Sequence, residues 1–247
     1  MVSLLLAQES TGDSTTRPNV GGMTSRQRYK TLTFTTPAYY REALRLIIEE
    51  ANRVARELQL PEKLPITQTN LVEAYISPPR MSQALGTFGT VTTSNYTYYV
   101  SVANKFSFLT RRNLQSDHEK LKAQYLWPMS RLNTNAAFQL ATQLLAAASM
   151  DVKGLQRDCT VRIRALTPEG PDGKHFVPVY WITWESKRPE GMGSGASVEL
   201  FEPTREIRQL HVLSPEYILR APLEVQNLDS LLSQTNAAPQ SKPPAMK

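Results

Sequence analysis

Cysteine is almost missing from this sequence: Cys159 stands alone among 247 residues, so no intrachain disulfide can form. It precedes Val161 and Ile163 in a strand-like run and reads as a small buried apolar residue. A reactive thiol needs a cation beside it to form thiolate. Arg162 and Arg164 alternate away from the face of Val161 and Ile163, so they do not serve it. Histidine is scarce too. His118, His175 and His211 fall in three separate predicted elements, without the clustering a metal site requires. Asp117-His118-Glu119 reads as a solvated helix face. No metal and no cofactor is expected.

Long hydrophobic runs are also lacking. Leu4-Leu5-Leu6-Ala7 is too short to span a bilayer, and no other stretch is long enough. No five like charges follow one another, which removes a basic tail. No Gly-x-Ser-x-Gly elbow lies between a strand and a helix. Gly191-Met192-Gly193-Ser194-Gly195 is followed by a strand pattern, whereas a phosphate loop needs a helix N-terminus after it; the run reads as a hairpin loop. No catalytic residue is therefore expected. An enzyme whose site is assembled from distant residues stays open as an alternative, because carboxylate pairs meet in space and not in sequence.

What the chain does contain fits a globular protein: 40% hydrophobic and 20% charged residues, enough for a sizeable core. The net charge of +6 permits a polyanionic partner. The cations are interleaved with Asp158, Glu199, Glu202 and Glu206, however, and acids beside a phosphate track repel it. Nucleic acid is thus not the expected partner, and RNA or polyanion binding is a second alternative. The expected partner is a protein. The candidate partner surface consists of Arg111, Arg112, Arg162 and Arg164 with the strand aromatics Tyr98 and Trp184. Glu185, Glu199 and Glu202 are expected to face solvent. The leucine run followed by Ala7 resembles the end of a secretory signal, so export to the periplasm or cell surface is expected, with a cytoplasmic location as the alternative.

Periodicity predicts an α+β fold of two similar units. Residues 1–30 read as a signal remnant and flexible leader, and 236–247, with Pro239, Pro243 and Pro244, as a disordered tail. The first unit, 31–130, opens on a helix over 37–59 that starts at Thr36-Pro37. Its apolar stripe runs through Tyr40, Leu44, Ile47, Ile48, Ala51, Val54, Ala55 and Leu58. Strands follow at 71–76, 87–93, 96–103 and 106–110, with Ser94-Asn95 as a hairpin turn and a short linking helix near 114–126. The second unit, 131–235, repeats the scheme. A helix over 135–150 carries Phe138, Ala141, Leu144, Leu145 and Ala148, and strands follow at 159–166, 175–185, 196–201 and 207–213. Antiparallel sheets with one helix-covered face suit both units, which points to an internal structural duplication. A single continuous sheet without symmetry is the alternative.

The helix Ala136–Met150, the strand Val177–Trp184 and the hairpin Ser197–Arg208 resemble a PepSY-like or cystatin-like unit. Arg205 stands where such a hairpin usually has glycine. Leu71–Arg80 and Tyr125–Arg131 are also similar to exported bacterial proteins of the Verrucomicrobia type. The PepSY-like resemblance implies a curved antiparallel sheet and a role as a protein-binding or inhibitory module, at the level of fold analogy, and the second likeness implies export.

Overall fold

The computed structural model describes residues 37–77, 87–101, 105–165, 173–187, 194–221 and 223. The expected leader, the Thr36 cap, residues 191–193 of the glycine loop and the tail lie outside the described residues.

Helix α1 (Pro37–Glu57) begins on the proline that presets its first turn. Leu44, Ile47, Ala51, Val54 and Ala55 recur at helical spacing and are buried, with Leu58 just past the end. Four strands follow as an antiparallel meander: β1 (Glu73–Ile76), β2 (Thr87–Thr92), β3 (Tyr96–Ser101) and β4 (Lys105–Arg111). The β2–β3 turn sits at Ser94-Asn95 as expected. It is closed by the Thr93 hydroxyl, which accepts from the amides of Asn95 at 3.2 Å and Tyr96 at 2.9 Å. Gly89 lets α1 approach this sheet: a Cβ there would lie 2.6 Å from Ile47 Cδ1 and 2.7 Å from the Tyr75 carbonyl oxygen.

After β4 come α2 (Leu114–Gln124), β5 (Trp127–Pro128) and α3 (Thr134–Ala147). Asn133 caps α3 by accepting from the Ala136 amide at 3.0 Å. Helix α4 (Val152–Asp158) is capped by Asp151 in the same way, through the Gly154 amide at 2.9 Å. Then β6 (Cys159–Ala165), β7 (His175–Phe176), β8 (Val179–Ser186), β9 (Ser194–Phe201) and β10 (Glu206–Val212) complete the strands among the described residues. The sequence pattern joins β7 and β8 into one strand over 175–185, and the structure corrects this. The chain breaks at Val177-Pro178, where proline has no N–H for a ladder. β7 pairs instead with β5 as a separate two-stranded ribbon.

The fold is α+β. All eight main strands form one antiparallel sheet in the order β1-β2-β3-β4-β10-β9-β8-β6. Two four-stranded meanders therefore meet through their last strands. One register row crosses the whole sheet: Ala74, Val91, Tyr98, Leu109, Leu210, Val198, Ile182 and Ile163. Period-2 alternation puts this row on one face, where it packs beneath α1 over β1–β2 and α3 over β6, β8 and β9. The opposite face is covered in part by α2. There Leu121 and Tyr125 close a small apolar cluster on Val177, Val179 and Phe201, with the Tyr125 and Phe201 rings 5.1 Å apart edge to face.

Candidate functional site

The six residues expected to form a partner surface do not lie together. Tyr98 and Trp184 are in the core, 1% and 0% exposed. They alternate onto the helix-covered face, where Tyr98 donates to Glu62 at 3.1 Å and Trp184 packs 6.2 Å from Phe138 of α3. Burial pushes the Tyr98 hydroxyl pKa upward. Arg111 ends β4 and is held by Glu206 and by Asp117 at 3.3 Å, while Arg112 beside it is exposed. Arg162 and Arg164 lie on β6, four strands from β4, or about 19 Å at the usual strand spacing.

Arg111 opens onto a buried charge cluster that period-2 reasoning misses. Strand β10 carries a bulge between Ile207 and Gln209, and the intervening Arg208 is turned beneath α2 at 1% exposure. Its guanidinium meets the Leu114 carbonyl at 3.2 Å, Asp117 at 3.3 Å and Glu199 at 3.4 Å. Glu199, expected to face solvent, is 4% exposed, because α2 and Arg208 lie over it. Burial raises the Glu199 pKa, with Arg208 opposing the shift, and burial lowers that of Arg208. Tyr96 closes the cluster with its hydroxyl 2.6 Å from Glu206. A cleft of about 240 Å³ beside it is lined by Lys120, Tyr125 and Thr204 as well as the charged groups. Cations and carboxylates here neutralise one another, which suits holding α2 on the sheet. The readable sign in the sequence is Glu199 and Arg208, two opposite charges set inside adjoining apolar strand runs.

A second concavity lies between α1 and α3. Leu144, expected on the buried stripe, is half-exposed and lines a groove of about 540 Å³ with Leu58, Leu60 and Leu140. The helix turns its Ala137, Ala141 and Leu145 side to the sheet instead.

The sheet's two edges differ. β1 has four residues and is followed at once by Ser77-Pro78-Pro79, a sequence that stops strand pairing. β6 has seven residues with no proline, and its exposure alternates: Thr160, Arg162 and Arg164 are exposed, and Val161, Ile163 and Ala165 half-buried toward α3 and α4. Every second residue of an antiparallel edge strand turns both its N–H and C=O outward. Among the described residues, β6 pairs with β8 alone. Arg162 is held by Glu185 at 2.7 Å. Arg164, opposite Trp181 in register, has no ion-pair partner among the described residues.

Among the described residues no three His, Cys, Asp or Glu side chains converge as a metal site would, and no helix is long and apolar enough to cross a membrane. Compared with protein-family models, curated proteins and solved structures, the chain matches none.

Proposed function

We propose that this chain is a binding or scaffold protein that acts by protein–protein contact, and that β6 is where it receives its partner. The observation that carries this reading is a seven-residue strand at the end of an eight-stranded sheet. Among the described residues no strand pairs with its outward backbone groups, and three exposed side chains stand beside them. Addition of an extended segment to such an edge draws affinity from main-chain hydrogen bonds and specificity from alternate side chains. The PepSY-like resemblance of the second half supports a binding role, and the likeness of Leu71–Arg80 and Tyr125–Arg131 to exported bacterial proteins supports an exported setting. Two meanders meeting through equivalent last strands, each with a helix on the same face, support the internal duplication within the same proposal.

The test is a screen of extended peptides against the full chain, with backbone amide shifts read by NMR for any binder. Shifts confined to β6 and its neighbour β8 support the reading. Shifts at the α1–α3 groove or the cleft under α2, with β6 silent, would falsify it.

A further inference from the structure

We infer that the segment received by β6 is an extended strand with acidic side chains at alternate positions and small apolar ones between them. This rests on the β6 reading above and names the chemistry of its partner. The two faces of the edge carry different instructions. On the face away from α1 and α3, Thr160, Arg162 and Arg164 follow one another at two-residue spacing, about 7 Å apart along a strand. On the helix face, Val161, Ile163 and Ala165 are half-buried beside α3 and α4. A strand added in register would set its own alternate residues against each row. Apolar groups would meet Val161 and Ile163 and extend the core, and the others would meet the arginines.

Charge decides what those others are. Opposed like charges destabilise a strand pair and opposite charges stabilise it. Among the described residues no carboxylate pairs with Arg164, which lies opposite Trp181, and Arg162 has one, Glu185, from the inner side. Lys187, just after β8, adds a cation near the start of β6, with its ammonium 2.8 Å from the Arg157 carbonyl. A second copy of this chain pairing through β6 would bring Arg162 and Arg164 against their own counterparts, so the edge selects against itself. A carboxylate opposite Arg164 meets a cation exposed beside the half-buried Trp181 ring. Arginines on an edge also guard against aggregation. A guard repels other copies, whereas a receptor site ranks incoming strands by charge, and that ranking is measurable.

The experiment uses the full chain and four capped seven-residue peptides: alternating Glu and Val, the same with Gln for Glu, the same with Lys for Glu, and the Glu peptide N-methylated at its central valine. Binding is followed by fluorescence anisotropy at two salt concentrations. The Glu peptide should bind the wild type roughly three- to tenfold more tightly than the Gln peptide, the range two exposed ion pairs supply. The advantage should shrink at high salt, and N-methylation should abolish binding. Arg162→Glu with Arg164→Glu should reverse the ranking in favour of the Lys peptide; both residues are exposed, so an unchanged thermal midpoint confirms the fold. Equal affinity for the Glu, Gln and Lys peptides overturns the acidic preference and leaves the edge reading standing. No binding by any peptide overturns both. Binding of the Glu peptide that ignores both N-methylation and charge reversal places the site away from β6 and also overturns both.

Discussion

The two halves of the sheet bury charge on opposite faces. In the first half the charge lies on the helix side. Arg220, which follows β10, reaches back to Glu50 of α1 at 2.9 Å and to Glu57, with its side chain only 5% exposed; Arg53 joins Glu50 from the same helix. In the second half it lies on the other side, where Arg208 and Glu199 are sealed by Asp117 of α2, the helix that follows β4. Each half is thus closed by a charged group that the other half supplies. The helices differ in the same sense. The solvent side of α1 is laced with Arg45, Glu42 and Glu49 ion pairs, whereas α3 contains no charged residue at all and leaves an apolar flank along the groove. The halves share a topology yet are not interchangeable parts, and the buried charges make them interdependent.

That interdependence is open to attack. Arg220→Met leaves Glu50 buried and Arg208→Met leaves Glu199 buried, and each should cost about 3–5 kcal/mol, the usual penalty for stranding one partner of a buried pair. Urea unfolding of both variants should show one transition. Two resolved transitions for either would mean that the halves unfold separately. Next in size is Leu145→Ala, expected to cost about 2–5 kcal/mol at a fully buried site, against about 1 kcal/mol for the half-exposed Leu144→Ala. Equal losses would show that α3 is rotated from the orientation described. Arg205→Gly should raise stability by about 1 kcal/mol, since Arg205 holds a φ of 56° that glycine adopts without strain.

The smallest effect concerns pH. His211, on the face away from α1 and α3 with its ring 4.9 Å from that of Phe108, has its pKa lowered by burial from the ordinary 6.5. Between that lowered value and 6.5 the unfolded chain binds more protons than the native one, so stability falls as pH drops through this window. His211→Phe should flatten that part of the stability profile. An unchanged slope would show that His211 titrates as freely in the folded chain as in the unfolded one.

Much of the local build was legible. The α1 stripe, the Ser94-Asn95 turn, the Asn133 cap region and most strand limits follow from spacing and turn chemistry. Arg205 is a clear case: the PepSY-like resemblance expects glycine at its position, and the structure gives it a left-handed backbone. What local patterns do not encode is which strands become neighbours. The pairing of Leu109 with Leu210 has no signal in either strand, so one shared sheet could not be told from two. Tyr98 and Trp184 look alike as core or surface until the helix-covered face is known. Glu199 escapes because the bulge at Arg208 and the cover by α2 are both tertiary. The break at Pro178 does have a local cue, since a proline inside an apolar run argues against an unbroken strand.

The seam between β4 and β10 also sets an order of events during synthesis. Tyr96 and its acceptor Glu206 are 110 positions apart, while the β2–β3 and β9–β10 hairpins close over a few residues. At ribosomal speeds, about 100 residues take roughly 5–20 s, far longer than the microseconds a hairpin needs. Throughout that interval β4 is an unsatisfied edge on the nascent chain, and α1 lacks Arg220 to neutralise Glu50. The first meander must wait, exposed, for its neighbour to be translated, and a cell that makes this protein has to keep that edge from pairing with another nascent copy until β10 arrives.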